Sequence, residues 1–200
     1  MSNDTNTLKR EHLFSFFLGM LAGDGCLPRK YNGQKYRVYP IQFFNCEMEL
    51  VLLFSELFFH FFSIEGKIRS RERKNKSLLW EFEKYSKHIY QALTQEFEIS
   101  SGKKAISVRI PSYIRNGSKQ MKIGFFLGLL ITDGCIRKRG DITFHCGSKY
   151  LIEDLKGLLS DVWGIEVKIR EYVQKEKYYS YQLTLNKNSS CRILQDAAVA

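Results

Sequence analysis

The chain is 200 residues long, and 44% of its residues are hydrophobic and 14% aromatic. That much apolar area can close a core, which excludes a disordered chain. Its 31 Lys and Arg against 21 Asp and Glu give a net charge of +10, which favours a polyanionic partner, nucleic acid before an anionic membrane surface. The five cysteines form no pattern typical of a zinc site or a disulfide framework. We therefore expect reduced thiols and an intracellular protein that is not secreted, located in a prokaryotic cytoplasm or nucleoid or in an organelle.

Each half of the chain is predicted to contain a helix, two strands, a second helix, two more strands and a third helix, which is an α+β fold. Hydrophobic periodicity places the elements of the first half at Glu11–Gly23, 27–31, 36–45, 47–63, 66–73, 78–85 and 87–97. The elements of the second half are placed at Gln120–Thr132, 135–139, 141–146, 149–163, 166–174, 177–185 and from about 189.

Two apolar runs imitate targeting or membrane segments. The run 13–23 follows a basic pair as in a signal peptide, but it recurs at 125–135, where a signal peptide cannot stand. The run 50–64 is 15 residues long, short of the roughly 20 that cross a bilayer. We therefore expect a soluble chain without a membrane partner.

An internal repeat explains the order of the elements. Residues 16–26 read FFLGMLAGDGC and residues 125–135 read FFLGLLITDGC, with eight of eleven positions identical. Downstream, IEGKIR at 64–69 is echoed by IEVKIR at 165–170. We therefore predict two diverged copies of one unit, at 1–98 and 119–200, joined by a linker at 99–118.

The predicted strands have one apolar face and one basic face. Alternation puts Leu78, Trp80 and Phe82 together on the core side. The predicted strand 66–73 of the first half carries Lys67, Arg69, Arg71 and Arg73 on its basic face. The equivalent strand 166–174 of the second half carries Lys168, Arg170, Tyr172 and Gln174 there. Such alternation is typical of a sheet packed on helices behind and open in front.

The repeated motif places small residues four apart on each helix, Gly19 with Gly23 and Gly128 with Thr132. Glycine inside a helix costs about 1 kcal/mol relative to alanine, so close packing of the two helices is expected as compensation. This packing would bring together Asp24 and Asp133, each placed unfavourably at a negative helix C-terminus. Two carboxylates with helix-end carbonyls offer hard oxygen ligands, which suit Mg²⁺.

The segments FLGMLAGDG and FLGLLITDG resemble the two signature motifs of single-chain LAGLIDADG homing endonucleases. The resemblance covers nearly the whole chain, and 103–111 is similar to the family's inter-domain stretch. It implies a pseudo-twofold αββαββα pair, with the motif helices packed together and two antiparallel sheets forming a saddle on double-stranded DNA. The implied activity is a metal-dependent double-strand break by a monomer in a long asymmetric site, and we expect an intron-encoded enzyme.

The resemblance also implies a catalytic site. Asp24 and Asp133 would hold Mg²⁺ or Mn²⁺ together with the main-chain carbonyls of Gly23 and Thr132. A lysine and a polar amide complete such sites in the family. The matching positions are Lys104, with Lys103 as the alternative, and Gln42, with Asn45 as the alternative.

The expected DNA surface consists of basic and polar side chains of the predicted strands and hairpin loops. Its members are Arg29, Lys30, Lys35, Arg37, Lys67, Arg69, Arg71, Arg73, Lys74, Lys76, Arg137, Lys138, Arg139, Thr143, His145, Lys168, Arg170, Tyr172, Gln174, Lys175 and Lys177. We expect the strand residues to read bases in the major groove and the loop lysines to meet phosphates.

The second half departs from the family pattern. Thr143 or His145 must replace the polar amide there, and no lysine follows the last helix as Lys104 follows the first copy, so unequal cutting of the two strands is expected.

The alternatives are an intron maturase or another RNA-binding protein on the same fold, a non-catalytic DNA-binding regulator, and an anionic-membrane surface protein. The third is disfavoured because the positive charge lies on predicted strands and not on an amphipathic helix.

Overall fold

The computed structural model of the chain describes residues 2–28, 38–73, 76–102, 104–174 and 178–199. These residues form two copies of one helix-and-strand unit. The first copy contains α1 (Ser2–Gly23), β1 (Gly25–Cys26), β2 (Pro40–Asn45), α2 (Met48–Phe62), β3 (Lys67–Arg73), β4 (Lys76–Tyr85) and α3 (Lys87–Gln91), which continues as a π-helical turn at Ala92–Glu96.

A short 3₁₀ helix (Lys104–Ile106) and the one-turn helix α4 (Ser112–Arg115) lie between the copies. The second copy contains α5 (Lys119–Asp133), β5 (Gly134–Ile136), β6 (Ile142–Cys146), α6 (Lys149–Trp163), β7 (Ile169–Gln174), β8 (Tyr178–Leu185) and α7 (Lys187–Val199). The predicted α+β class and the order of elements within each copy are confirmed.

The strands of each copy form one four-stranded antiparallel sheet, with the orders β1-β2-β4-β3 and β5-β6-β8-β7. The registers match as well. Gly25 faces Phe43 as Gly134 faces Phe144, and Arg69 faces Glu81 as Arg170 faces Gln182. Residues 101 positions apart are therefore structurally equivalent from β2 onward.

The helices of each copy cover one side of its sheet. In the first copy this core is aromatic: the ring of Phe54 stacks on Phe43 and Phe17, at 4.4 and 5.0 Å between centroids. In the second copy Leu155 and Leu159 are fully buried at the positions equivalent to Phe54 and Phe58. Burial of such side chains stabilises each copy by roughly 1.5–3 kcal/mol per residue.

Local sequence signals set several helix ends. The hydroxyl groups of Ser118 and Ser148 accept hydrogen bonds from the backbone N–H of Met121 and Leu151, which caps the starts of α5 and α6. Gly164 ends α6 with a left-handed φ of 63°, a conformation that costs glycine nothing.

The structure corrects several predicted details. The first described strand lies at Gly25–Cys26, and of the predicted strand 27–31 only 27–28 are described, which are not in a strand. Helix α1 begins nine residues before the predicted start at Glu11. Leu78, expected on the core side, is 39% exposed because it stands at the outer end of β4.

All five cysteines are free thiols, as expected. Among the described residues no helix has both the length and the apolar character needed to cross a membrane.

Candidate active site and nucleic-acid interface

The two motif helices, α1 and α5, pack directly backbone against backbone. A Cβ atom added at Gly19 would lie 2.2 Å from the carbonyl oxygen of Phe125, and one at Gly128 would lie 2.0 Å from that of Phe16. Both distances are far below van der Waals contact, so only glycine fits at these two crossings. The predicted close packing of the helices is confirmed.

The packing continues to the C-terminal ends of both helices. A Cβ atom at Gly23 would lie 2.1 Å from the hydroxyl oxygen of Thr132 and 3.5 Å from the carboxyl carbon of Asp133. Asp133 is the last residue of α5, and Asp24 follows α1 directly. The two aspartates therefore stand at adjoining helix ends, where the sheets begin.

An asparagine holds the carboxylate of Asp24. Asn45, the last residue of β2, donates from Nδ2 to Asp24 Oδ2 at 2.6 Å. Its own Oδ1 accepts the backbone N–H of Glu47 at 2.8 Å, which fixes the orientation of the amide. The backbone N–H of Phe44 also donates to the carbonyl oxygen of Asp24 at 3.2 Å. The loop carrying Asp24 is thereby tied to the end of β2.

Gln42, the first candidate for the polar amide of the site, makes its side-chain hydrogen bonds to glutamates of β4. It is 6% exposed, and its amide donates to Glu81 and Glu83 at 3.2 and 3.0 Å. Of the two amides left open by the sequence, the structure therefore brings Asn45, and not Gln42, to Asp24. The reason is position along β2: Gln42 lies mid-strand on the open face, whereas Asn45 ends the strand beside the loop of Asp24.

The linker runs from one copy to the other near these helix ends. The backbone N–H of Gly102 donates to Leu27 O at 2.8 Å in the first copy, and Ser148 Oγ donates to Val108 O at 2.7 Å in the second. Between them the 3₁₀ helix lies against the turn after β6, where a Cβ atom at Gly147 would be 2.9 Å from Ala105 O. The backbone of Lys104 begins this 3₁₀ helix.

The open face of the first sheet is not uniformly basic. Glu83 is 8% exposed and accepts hydrogen bonds from Gln42, from Tyr85 at 2.8 Å and from Arg69, with which it forms an ion pair. Three donors, one of them charged, compensate for burying the carboxylate. Arg69 therefore neutralises a protein carboxylate and is held in one orientation.

At the centre of its open face the second sheet has an amide and a hydroxyl, Gln182 and Thr184, where the first sheet has carboxylates. Tyr172 donates from its hydroxyl to Gln182 Oε1 at 2.6 Å, and Gln182 Nε2 donates to Thr184 Oγ1 at 3.3 Å. A surface depression of about 560 Å³ is lined by these side chains and by Lys168 and Arg170. The other charged residues that line it are Arg137, Arg139, Asp141 and Glu166, so its charged lining carries a net charge of +2. The depression on the first sheet is lined by two arginines and two glutamates and has no net charge.

Comparisons with known proteins agree with this geometry. Residues 120–196 match the family model of the LAGLIDADG-like domain. The chain superposes on a variant of the homing endonuclease I-DmoI with a TM-score of 0.71 and 18% identity, covering 95% of this chain and 97% of that one. The chain has the LAGLIDADG fold.

Two further solved structures with the LAGLIDADG fold are similar to the chain. I-DmoI in complex with DNA and Mn gives a TM-score of 0.70 at 18% identity and covers 92% of this chain and 95% of that one. The N-terminal LAGLIDADG domain of DUF199/WhiA gives 0.59 at 12% identity and covers 94% and 81%. No curated protein sequence matches the chain. The resemblance stated from the two motifs is confirmed.

The structure places most of the predicted LAGLIDADG DNA surface on the open faces and on the second-copy hairpin. The exposed members are Lys67, Arg69, Arg71, Arg137, Lys138, Arg139, His145, Lys168, Arg170 and Tyr172, and Arg73 is half-buried. Thr143 is 1% exposed and so does not reach the surface. The predicted residues that lie outside the described residues are Lys103, Arg29, Lys30, Lys35, Arg37, Lys74, Lys175 and Lys177. The side chains of Lys76, Lys104 and Gln174 lie outside them as well.

The residues at the motif helix ends fit a hard divalent cation. Two carboxylates and main-chain carbonyls are all oxygen donors, and Mg²⁺ is commonly bound by one or two carboxylates together with substrate phosphates. Within the described ranges no group of three or more His, Cys, Asp or Glu could hold a metal ion. The donor set therefore matches a cation shared with a phosphate better than one enclosed by protein alone.

Sequence reasoning missed the acidic residues of the first sheet. Glu81 and Glu83 alternate with Trp80 and Phe82 along β4, and the inward direction of the aromatic pair already predicts that the glutamates face outward. The signal was present, but the predicted DNA surface included only basic and neutral polar side chains.

Proposed function

We propose that this protein is a site-specific DNA endonuclease that makes a metal-dependent double-strand break in a long asymmetric site, as an intron-encoded homing endonuclease acting as a monomer. The observation that supports this proposal most is the meeting of Asp24 and Asp133 at adjoining helix ends between two sheets. A single carboxylate at a helix C-terminus is unfavourable, because that end of the helix is already negative. Two such carboxylates, one from each copy of the duplicated motif, form a site.

The roles of the residues follow from their positions. Asp24 and Asp133, with the carbonyls of Gly23 and Thr132, would hold Mg²⁺ or Mn²⁺. When bound, such a cation polarises a phosphoryl oxygen and lowers the pKa of bound water. Asn45 keeps the Asp24 carboxylate in one orientation through its 2.6 Å hydrogen bond. Lys104 is proposed to order water and balance charge near the second copy.

The two sheets would orient the protein on the DNA duplex. A two-stranded ribbon fits the major groove, and strands rise about 3.3 Å per residue, close to one base-pair step. The two sheets of one chain can therefore follow neighbouring segments of a duplex with the aspartates between them. The I-DmoI complex with DNA and Mn supports this arrangement as a property of the fold.

The test is plasmid cleavage by Asp24→Asn and Asp133→Asn after a target has been selected from randomised DNA with Mg²⁺. Loss of a metal ligand removes several kcal/mol of transition-state stabilisation, so linearisation should fall by at least about 100-fold while DNA binding persists. The matched control is Asp161→Asn, an exposed carboxylate paired with Lys122 on the outer surface, which should cleave normally. Full double-strand cutting by either motif variant would refute the two-carboxylate site.

A second candidate function is non-catalytic DNA binding, which the similarity to the WhiA domain favours. It predicts the same DNA affinity in wild type and both motif variants, with no cleavage under any divalent cation. Cleavage by the wild type distinguishes the two functions directly.

A further inference from the structure

The two sheets differ at the centre of their open faces. The strand registers make Glu81 equivalent to Gln182 and Glu83 equivalent to Thr184. A depression of about 610 Å³ on the first sheet is lined by both glutamates. The corresponding depression on the second sheet is lined by the amide and the hydroxyl, and its carboxylates, Asp141 and Glu166, stand at other positions. A face that meets DNA phosphates thus carries two carboxylates in one copy and none at the equivalent positions of the other.

The two glutamates are used differently. Glu83 is almost fully buried and accepts from three donors, so its acceptor capacity is directed into the protein. Glu81 is half-buried, and among the described residues it accepts one hydrogen bond, from Gln42 at 3.2 Å. A carboxylate offers about four acceptor positions. Glu81 therefore retains acceptors toward the depression.

An exposed carboxylate on this face repels phosphates, so it weakens binding unless it meets a donor. In the major groove the donors are the exocyclic amino groups of cytosine (N4) and adenine (N6), and glutamate is a known acceptor for the former. At the equivalent position Gln182 uses its amide within the sheet, because its oxygen accepts from Tyr172 and one of its N–H groups donates to Thr184.

We propose that Glu81 determines specificity in the half-site under the first sheet by accepting a hydrogen bond from a base amino group, with cytosine as the expected base. Glu83 is a positioning residue that fixes the guanidinium of Arg69 beside it. This inference rests on the proposed DNA recognition, and it adds an acidic reader to a surface otherwise described by its basic residues.

The experiment compares the sequences that wild type, Glu81→Gln and Gln182→Glu enrich from a randomised duplex library. Wild type should enrich an amino-bearing base at one position of the first half-site, and the enriched letter distinguishes cytosine from adenine. Glu81→Gln should lower that preference by roughly 5- to 100-fold or shift it to adenine, which glutamine bonds through two contacts. Gln182→Glu should create an amino-base preference at the symmetry-related position.

Glu83→Gln separates positioning from direct reading. It should relax the preference at the neighbouring base, read by Arg69, and leave the preference under Glu81 intact. A purely structural role would instead lower affinity for all sequences alike, and melting temperatures would report any loss of fold.

Two outcomes overturn the inference, and they are distinguishable. An unchanged selected sequence with uniformly tighter binding by Glu81→Gln, cleavage being retained, would refute only the role of Glu81. Wild type that enriches no sequence would refute site-specific recognition, and with it both the proposed function and this inference.

Discussion

The two copies of the repeat share a backbone and differ in what they place on it. The core of the first copy stacks phenylalanines, whereas the second copy has leucines at two equivalent positions, 155 and 159. On the open faces the first copy has the Glu81 and Glu83 carboxylates where the second has Gln182 and Thr184. At the helix ends the first copy has Asn45 where the second has Cys146. The fold tolerates these exchanges because volume and alternation decide it. In the proposed function, the exchanges on the open faces concern recognition and those at the helix ends concern catalysis.

The helix pair is the part of the comparison in which the copies should behave alike. Gly19→Ala and Gly128→Ala should each destabilise the protein by about 1–3 kcal/mol, because the added methyl group overlaps a backbone carbonyl of the other helix. Chemical denaturation measures both.

The control is Gly157→Ala in α6, where a Cβ atom would meet nothing within 4 Å. It should stabilise by about 0.5–1 kcal/mol, since alanine is the better helix former. Markedly unequal costs for the two interface variants would show that the helix pair is not equivalent on both sides.

The helix ends should break the symmetry in catalysis. Asn45→Cys copies the second half into the first and should slow cleavage of one strand by about 10–100-fold, since it removes the hydrogen bond that orients the carboxylate proposed to hold the metal. A plasmid time course with end-labelled strands would reveal a nicked intermediate.

The reciprocal change, Cys146→Asn, should lessen the strand bias that is expected of the wild type. Equal slowing of both strands by Asn45→Cys would contradict the assignment of Asn45 to one half of the site.

The two equivalent arginines should differ in salt dependence. Arg170 faces Gln182 across the strands, so it is available to a phosphate or base, and Arg170→Ala should reduce the salt slope of binding by about one. Arg69 is already neutralised by Glu83, so Arg69→Ala should change the slope less. Titrations at several salt concentrations compare them, and equal slopes would show that the Arg69–Glu83 ion pair opens on DNA.

The smallest effect is expected where the end of the first copy meets the linker, at the contact of Glu98 with Ser112. Hydrogen bonds from the side chain and backbone N–H of Ser112 lower the pKa of Glu98 below its ordinary value of 4.5. A carboxyl group with a lowered pKa in the folded state stabilises above its unfolded pKa, and the stabilisation disappears as the pH falls through the lowered value.

Glu98→Gln should therefore be less stable than wild type near neutral pH, and the two should converge in acid. Urea midpoints measured across the acid range provide the check. A difference that is independent of pH would indicate that the hydrogen bond matters without the charge.

Much of this architecture could be read from the sequence because its signals are local. Helical and period-two patterns predicted the order of elements, and α6 lies at the predicted 149–163. The duplicated motif predicted two glycine-lined helices, since glycine repeated inside a helix requires close packing in return. The same motif placed an aspartate at the end of each helix, and the structure brings those ends together.

Tertiary structure decided the contacts between residues far apart in the chain. Asn45 and not Gln42 reaches Asp24, because strand length and pairing determine which amide stands at the end of β2. Arg69 meets Glu83 because the register of two strands places their side chains on one face. Hydrophobic alternation assigns a face to each residue but says nothing about its partner across the sheet. The pairing of strands selects that partner, and with it the charge of the open face.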